Sequence, residues 1–427
     1  MTSRMSDGCH PMRLMAGQVG DIAGEARRRT PGASSVVHLN AAGAGLMSQA
    51  VVDAIKSQLD TEARCGTHWA TANRHAQLDE TRLLAARLFG VPATHLAFGE
   101  SASRLWALAF ASINLPPKAR ILVARNDWGG NILSILRRAA AGTADIVRLP
   151  MNQDGLIDID AARSLVDERT AAICVSAVAS SFGLQQPVQE LGALARPETC
   201  LYFVDASQAV GQMPIDKSST SADVMVAPAR KWLRGGRGQA MLGLSDRALG
   251  AMRQPALIDQ SGVRWHGSDM VSVRDDARRF ETWEFSAAAR LGLRTALLEL
   301  SEITVEIVRT AIAGHIEHLR RILDGIDGIE IFESAHRTAP AFLTFRHRTI
   351  PVCVIVDGLA DRNVAIASVG LDYARWELEA RDLEAVARVA PHITTDADDI
   401  ERFGRALGDV LAGQGVTGKS RLSAGKT

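Results

Sequence analysis

The 427-residue chain predicts an α/β fold: a large domain built on a mostly parallel sheet between helices, then a smaller α+β C-terminal domain. Short runs that are apolar on both faces recur at 120–124, 171–177, 200–204, 223–227 and 239–244. A strand covered by helices on both sides reads this way, because neither face needs polar residues. Helical periodicity fills the intervals at 51–64, 78–89, 287–300 and 304–323. After about residue 300 the pattern changes. A long helix leads into short strands near 341–345 and 352–356, and a terminal helix follows at 397–411. The expected organisation is a mobile segment over 1–35, the large domain over 36–300, the small domain over 301–412, and a disordered tail over 413–427. Both ends are rich in Gly, Ser and basic residues rather than apolar ones.

Composition excludes several function classes. Lys and Arg total 48 and Asp and Glu total 48, so no charge excess favours nucleic acid or an anionic membrane. Apolar stretches are cut by charges before reaching the ~20 residues a bilayer span needs. The N-terminus has Arg27, Arg28 and Arg29 but no apolar secretory core. The five cysteines, Cys9, Cys65, Cys174, Cys200 and Cys353, are scattered and form no CxxC pair. That pattern fits a reduced, cytoplasmic setting without structural disulfides or a metal centre. Cys353 lies in an apolar run and reads as core.

Ligands of open parallel sheets bind outside the carboxyl ends of the strands. One such end carries Asp205-Ala206-Ser207-Gln208. The next carries Pro228-Ala229-Arg230-Lys231-Trp232, followed by Gly235, Gly236 and Gly238. With only six lysines against forty-two arginines, Lys231 stands out. A carboxylate and a lysine facing one crevice suit pyridoxal 5'-phosphate: the lysine forms a Schiff base, and the acid keeps the pyridine nitrogen protonated. Taken singly, Asp205 could cap a helix and Lys231 could be a surface charge. Together with the glycines they form a more specific signal.

These segments resemble the core signature of class V aminotransferases, the cysteine-desulfurase-like branch of the fold-type I enzymes. The resemblance runs from about His38 to Phe403. It implies a seven-stranded-type sheet, the cofactor on Lys231, its pyridinium carboxylate at Asp205, and Gln208 near its phenolic oxygen. Gly99-Glu100-Ser101-Ala102-Ser103 resembles the phosphate loop, so Ser101 and Ala102 are implied phosphate contacts through amides at a helix start. Trp128, in Asn126-Asp127-Trp128-Gly129-Gly130-Asn131, stands where relatives stack a His on the ring. Ser180 stands where relatives often have an Asn near the phenolic oxygen, and Arg230 where desulfurases have a phosphate-binding His. Arg388 matches an arginine that forks the substrate carboxylate, a task suited to two parallel donors. Arg279-Phe280-Glu281-Thr282-Trp283-Glu284 resembles a segment at a two-fold interface, and implies a homodimer.

Desulfurases of this family place a nucleophilic cysteine shortly before that arginine. Here the stretch Ala367-Ser368-Val369-Gly370-Leu371-Asp372-Tyr373 offers no thiol. The run His38-Leu39-Asn40-Ala41-Ala42-Gly43, the segment Glu62-Ala63-Arg64-Cys65-Gly66 and the Glu281–Glu284 stretch are instead similar to ergothioneine-type C–S lyases. That branch includes enzymes processing cysteine S-conjugates in lincosamide antibiotic biosynthesis. The resemblance implies an S-substituted cysteine as substrate and adds Asn40 to the substrate contacts. The expected reaction is β-elimination, with Lys231 as the base and a thiol, pyruvate and ammonia as products. Decarboxylating oxidative deamination to an aldehyde, transamination, epimerisation, or a cofactor-binding scaffold without turnover remain open, since fold does not decide reaction.

Overall fold

The computed structural model describes residues 16–140, 144–333 and 340–414. The strands of the large sheet are β1 (Leu96–Gly99), β2 (Ala119–Ala124), β3 (Ala144–Leu149), β4 (Thr170–Ser176), β5 (Leu201–Asp205), β6 (Val224–Pro228) and β7 (Ala240–Leu244). Their seven-stranded order is β1-β7-β6-β5-β4-β2-β3. Only β7 runs against its neighbours, β1 and β6; the remaining pairings are parallel. The expected mostly parallel sheet is therefore present.

Alternate residues of each strand feed two cores. Ile121, Val123, Cys174 and Phe203 pack on one face, with Trp106 and Phe110. Leu122, Ile173, Val175 and Val204 pack on the other. Trp106 stacks on Phe110 at 4.9 Å, and Phe203 closes the group at 5.5 Å from Trp106. Each such side chain contributes about 1.5–3 kcal/mol by leaving water. The sheet order reverses between β2 and β4, since β2 leads outward to β3 and β4 leads the other way to β5. The carboxyl ends at that reversal open a crevice.

The small domain carries β8 (Ile329–Ile331), β9 (Leu343–His347), β10 (Ala367–Gly370) and β11 (Ala385–Val389), in the antiparallel order β8-β9-β11-β10. Helices Val305–Asp324 and Ala397–Gln414 pack together on it.

Three expectations change. The run 352–356 is not a strand but the start of a helix, Val352–Ala360. Pro351 sits at its N-cap with φ −60°, compatible with a helix entrance, and only Ile355 and Leu359, four residues apart, are buried. Cys353 lies on the outer side of this helix and is exposed, not core. Residues 16–35 are not a loose segment. Helix Ala16–Arg28 buries Val19 and Ala26, and Arg27 reaches Asp396 at 2.8 Å and Asp399 at 2.6 Å. Val37–His38 then pairs in parallel with Val364–Ala365 of the small domain. Of the expected tail, 415–427 lies outside the described residues.

Candidate active site

The strand ends at the sheet reversal supply the chemistry. Asp205 is the last residue of β5 and only 4% exposed. Its Oδ1 accepts from Ser207 N at 2.9 Å, and its Oδ2 accepts from Asn131 Nδ2 at 2.9 Å. Lys231 follows β6 in a turn held by Arg234 N donating to Lys231 O at 3.0 Å and Gly235 N donating to Ala229 O at 2.9 Å. Gly45 packs so close that a Cβ there would lie 2.5 Å from Lys231 O, so the strap from 40 to 46 must carry glycine at that point. Burial lowers the Lys231 ammonium to about 7, helped by Arg230 and Arg388 and opposed by Asp205. At neutral pH a large share of Lys231 is an unprotonated amine, able to act as nucleophile or base.

Lys231 and Asp205 line one cleft of about 240 Å³ with Ser101, Ala102, Trp128 and Arg230. Ser101 caps helix Ala102–Ala111 by accepting from Arg104 N at 3.2 Å. The amides of Ala102 and Ser103 are left without a protein acceptor among the described residues. The cap and the anion-cradle readings of this loop therefore coexist. Arg230 donates Nη1 to Gly43 O while lining the cleft. The Trp128 ring centroid is 6.0 Å from Lys231 Nζ. The indole is braced by Tyr373, stacked at 5.7 Å, and by Nε1 donating to Ser103 Oγ at 3.2 Å.

Gln208 and Ser180 also line the cleft. Gln208 donates Nε2 to Ala42 O at 3.1 Å and accepts from Trp232 Nε1 at 2.9 Å, so one N–H remains for another acceptor. Ser180 Oγ is buried without a partner among the described residues. Asn40 and Arg388 are not part of the cleft lining. Asn40 bridges to Ala390, and its Oδ1 is buried and unpartnered. Arg388, on β11, donates Nη1 to Ser180 O at 2.8 Å, while its Nε has no partner. Burial lowers its guanidinium to about 10, so it stays charged at neutral pH. His392 is buried beneath Trp232, stacked at 5.8 Å and bonded to Trp232 O at 3.0 Å. Burial drops it to about 3, and it is a neutral core group.

Sequence reasoning missed Asp127, Asn131 and Ser176. Ser176 Oγ donates to Asp127 Oδ1 at 2.5 Å, and Asn131 Nδ2 spans from Asp127 to Asp205. Burial and the nearby Asp205 raise Asp127 to about 7. The strand-end rule could have found Ser176, the last residue of β4. The i, i+4 spacing of Asp127 and Asn131 was the signal for the bridge.

Residues 37–403 match the class-V aminotransferase family. The chain belongs to that family. It is 28% identical over 373 residues to a probable hercynylcysteine sulfoxide lyase of Mycobacterium tuberculosis, covering 87% of this chain and 89% of the relative. It is 23% identical over 342 residues to a probable cysteine desulfurase of Methanothermobacter thermautotrophicus, covering 79% and 84%. Among solved structures, the apo cysteine desulfurase of Thermococcus onnurineus superposes with a TM-score of 0.84 at 17% identity, over 91% of this chain and 98% of that one.

Members of the family use pyridoxal phosphate, and this cleft fits the group. Open amides and Arg230 answer a phosphate, Asp205 answers a ring nitrogen, and the unpartnered Ser180 Oγ with the spare Gln208 N–H answers a ring oxygen. No helix among the described residues is long and apolar enough to cross a membrane, and no described cluster could hold a metal ion.

Proposed function

We propose that this enzyme is a pyridoxal-phosphate-dependent carbon–sulfur lyase, releasing a thiol, pyruvate and ammonia from an S-substituted cysteine. One observation carries the reading: the cleft joins Asp205 to Lys231, whose ammonium burial lowers to about 7, and no described cysteine lines it. The stretch 367–373, which corresponds to the region where a desulfurase carries its thiol, has no cysteine, and its Tyr373 braces Trp128. Burial pushes the Cys200 thiol up to about 12 and the Cys174 thiol higher still, so neither is a thiolate at neutral pH. The similarity to a hercynylcysteine sulfoxide lyase points the same way and suits sulfur-containing natural-product metabolism.

When bound, the cofactor supplies an electron sink for charge developing at the substrate Cα. The chain's residues do the rest. Ser101, Ala102 and Arg230 hold the phosphate end. Trp128 would lie against the ring, and Asp205 would hold a proton on its nitrogen. Asn131 and Ser207 keep Asp205 oriented, one on each oxygen. Arg388, with Asn40, which bridges to Ala390 two residues further along the chain, takes the substrate carboxylate and so orients the Cα bonds. Lys231 Nζ removes the Cα proton, and the sulfur leaves with its bonding electrons.

Assembly as a homodimer belongs to the same reading. The hairpin Val263–Gly267 with Met270–Val273 exposes Trp265, Met270 and Val271. Apolar side chains held in water at this density suit a surface covered by a second copy. Light scattering on the eluting protein tests it, and a monomer at micromolar concentration would contradict it.

The deciding experiment incubates the yellow holoenzyme with S-substituted cysteines and identifies products. Pyruvate with free thiol is expected. Carbon dioxide with an aldehyde would move the reaction to oxidative decarboxylation on the same residues. Normal turnover by Lys231→Ala would remove the basis of the mechanism.

A further inference from the structure

A second chamber, of about 590 Å³, opens beside the cofactor cleft. The two share Glu100, Gly238 and Gln239 in their walls, so they are contiguous. The second chamber is larger than the first, within the size range of small-molecule sites. Its walls include the rings of Phe98, Trp283 and Phe285 and the guanidinium of Arg290.

Arg290 is built into this wall with little freedom. It stands in the first turn of helix Ala287–Ile303, whose N-cap Ser286 accepts from Ala289 N at 3.1 Å. The residue is only 6% exposed. Its guanidinium carbon lies 3.9 Å from the Phe98 ring centroid and 4.8 Å from that of Phe285. Nε donates to Gln239 Oε1 at 2.6 Å. The two terminal nitrogens have no hydrogen bond or ion pair to any described residue, and they are not among the buried unpartnered atoms, so they face open space. The carboxylate that could neutralise them is already committed: Glu281 accepts two bonds from Arg82, at 2.8 and 3.0 Å, and one from Phe98 N at 2.9 Å. Glu100 pairs with Arg104, and Glu284 is exposed. The chamber wall thus holds a cation packed against two rings, with its paired donors unspent. Glu281 favours its charge but is shared with Arg82, so a planar anion docking on the fork supplies the partner the site lacks.

We infer that Arg290 is a specificity-determining residue: it binds a carboxylate on the group attached to the substrate sulfur, which sits in this second chamber while the cysteine moiety occupies the cofactor cleft. The inference rests on the C–S lyase reading. The phenyl walls select a flat or apolar body between sulfur and that carboxylate, because they offer stacking area and no hydrogen bonds. Lysine would not substitute fully, since the site presents a rigid fork rather than a point charge.

The test compares S-(4-carboxybenzyl)-cysteine with S-(4-carbamoylbenzyl)-cysteine on the holoenzyme, near-isosteric probes in which a neutral carboxamide replaces the carboxylate. The carboxylate is expected to be preferred by about tenfold or more in kcat/KM, the preference residing in KM and in the Kd read from the cofactor's absorbance. In Arg290→Met the ratio should fall to about one, with Arg290→Lys in between. Equal use of the two probes by the wild-type enzyme would overturn the inference and leave the lyase reading intact, and this comparison needs no variant to fold. If neither probe is turned over, the lyase reading fails, and the absorbance-derived Kd values then decide the inference separately. Conversion of Arg290→Met to a monomer with the probe ratio unchanged would make Arg290 an interface residue and overturn the inference too.

Discussion

Replacing Lys231 by Met should make the cofactor-free protein more stable at neutral pH, although it removes the residue on which activity depends. Burial takes the ammonium from 10.5 down to about 7. A folded-state value below the unfolded one means that the unfolded chain binds the extra proton between those limits. Stability therefore falls as pH drops from about 10.5 towards 7, and is flat below. At ~1.4 kcal/mol for each tenfold, the full interval corresponds to about 4–5 kcal/mol against the folded state. The cleft is open to water on one side, which screens the charge, so about 1–3 kcal/mol is the expected gain. Methionine keeps the length and apolar stem of the side chain and removes only the titrating group. Urea unfolding of the two apoproteins, followed by tryptophan fluorescence at pH 7 and again at pH 10, reads the effect. The gain should be present at pH 7 and shrink towards zero at pH 10. No gain at pH 7, or one of equal size at both values, would show that Lys231 is not held in the strained charge state described.

Three other outcomes are expected. Asp127 titrates near 7 in the folded protein against an ordinary 3.8, so it costs stability increasingly as pH rises between those values; Asp127→Asn should gain about 1–3 kcal/mol in the apoprotein at pH 8 and nothing at pH 4, measured by urea titration. Glu333 accepts from Gly183 N at 2.8 Å, Thr344 N at 2.7 Å and Thr344 Oγ1 at 2.7 Å; Glu333→Ala orphans two buried amides and should cost about 3 kcal/mol, read as a fall in the urea midpoint. Arg388→Lys keeps the charge but loses the fork, and should lower kcat/KM by about a hundredfold in steady-state assays with the cofactor still bound.

The large domain was legible because its strands are apolar on both faces, and that pattern has few other sources. The helix Val352–Ala360 was not: Val352, Val354, Ile355 and Val356 form a short apolar run rich in β-branched residues, which suits strand and buried helix alike. Pro351 and the packing of Gly358 on Val410 settle the matter only in three dimensions. Lys231 and Asp205 could be found because strand ends attract ligands and because lysine is scarce. Arg290 could not, since it stands in a helix among forty-two arginines, and its meaning depends on Phe98 and Gln239 arriving from distant parts of the chain. The N-terminal helix was hidden for a similar reason. Its stabilising partners, Asp396 and Asp399, lie near the opposite end of the sequence.

The strap from 37 to 46 has a consequence for how the protein is made. It pairs with Val364 and Ala365, bridges to Ala390, receives the Gln208 amide at Ala42 O and the Arg230 guanidinium at Gly43 O, and donates Gly45 N to Arg230 O. This segment thus waits for partners at 364, 365 and 390, synthesised more than three hundred residues later. The sheet can bury the core that holds Trp106 and Phe203 before residues 340–410 are made, but its other core, which includes Phe342, Val364, Ala387 and Phe403, and the floor beneath Lys231 cannot be completed. Cofactor capture is then a report on completion: a chain halted near residue 300 would carry Lys231, Asp205 and Trp128 and still present an unfinished pocket.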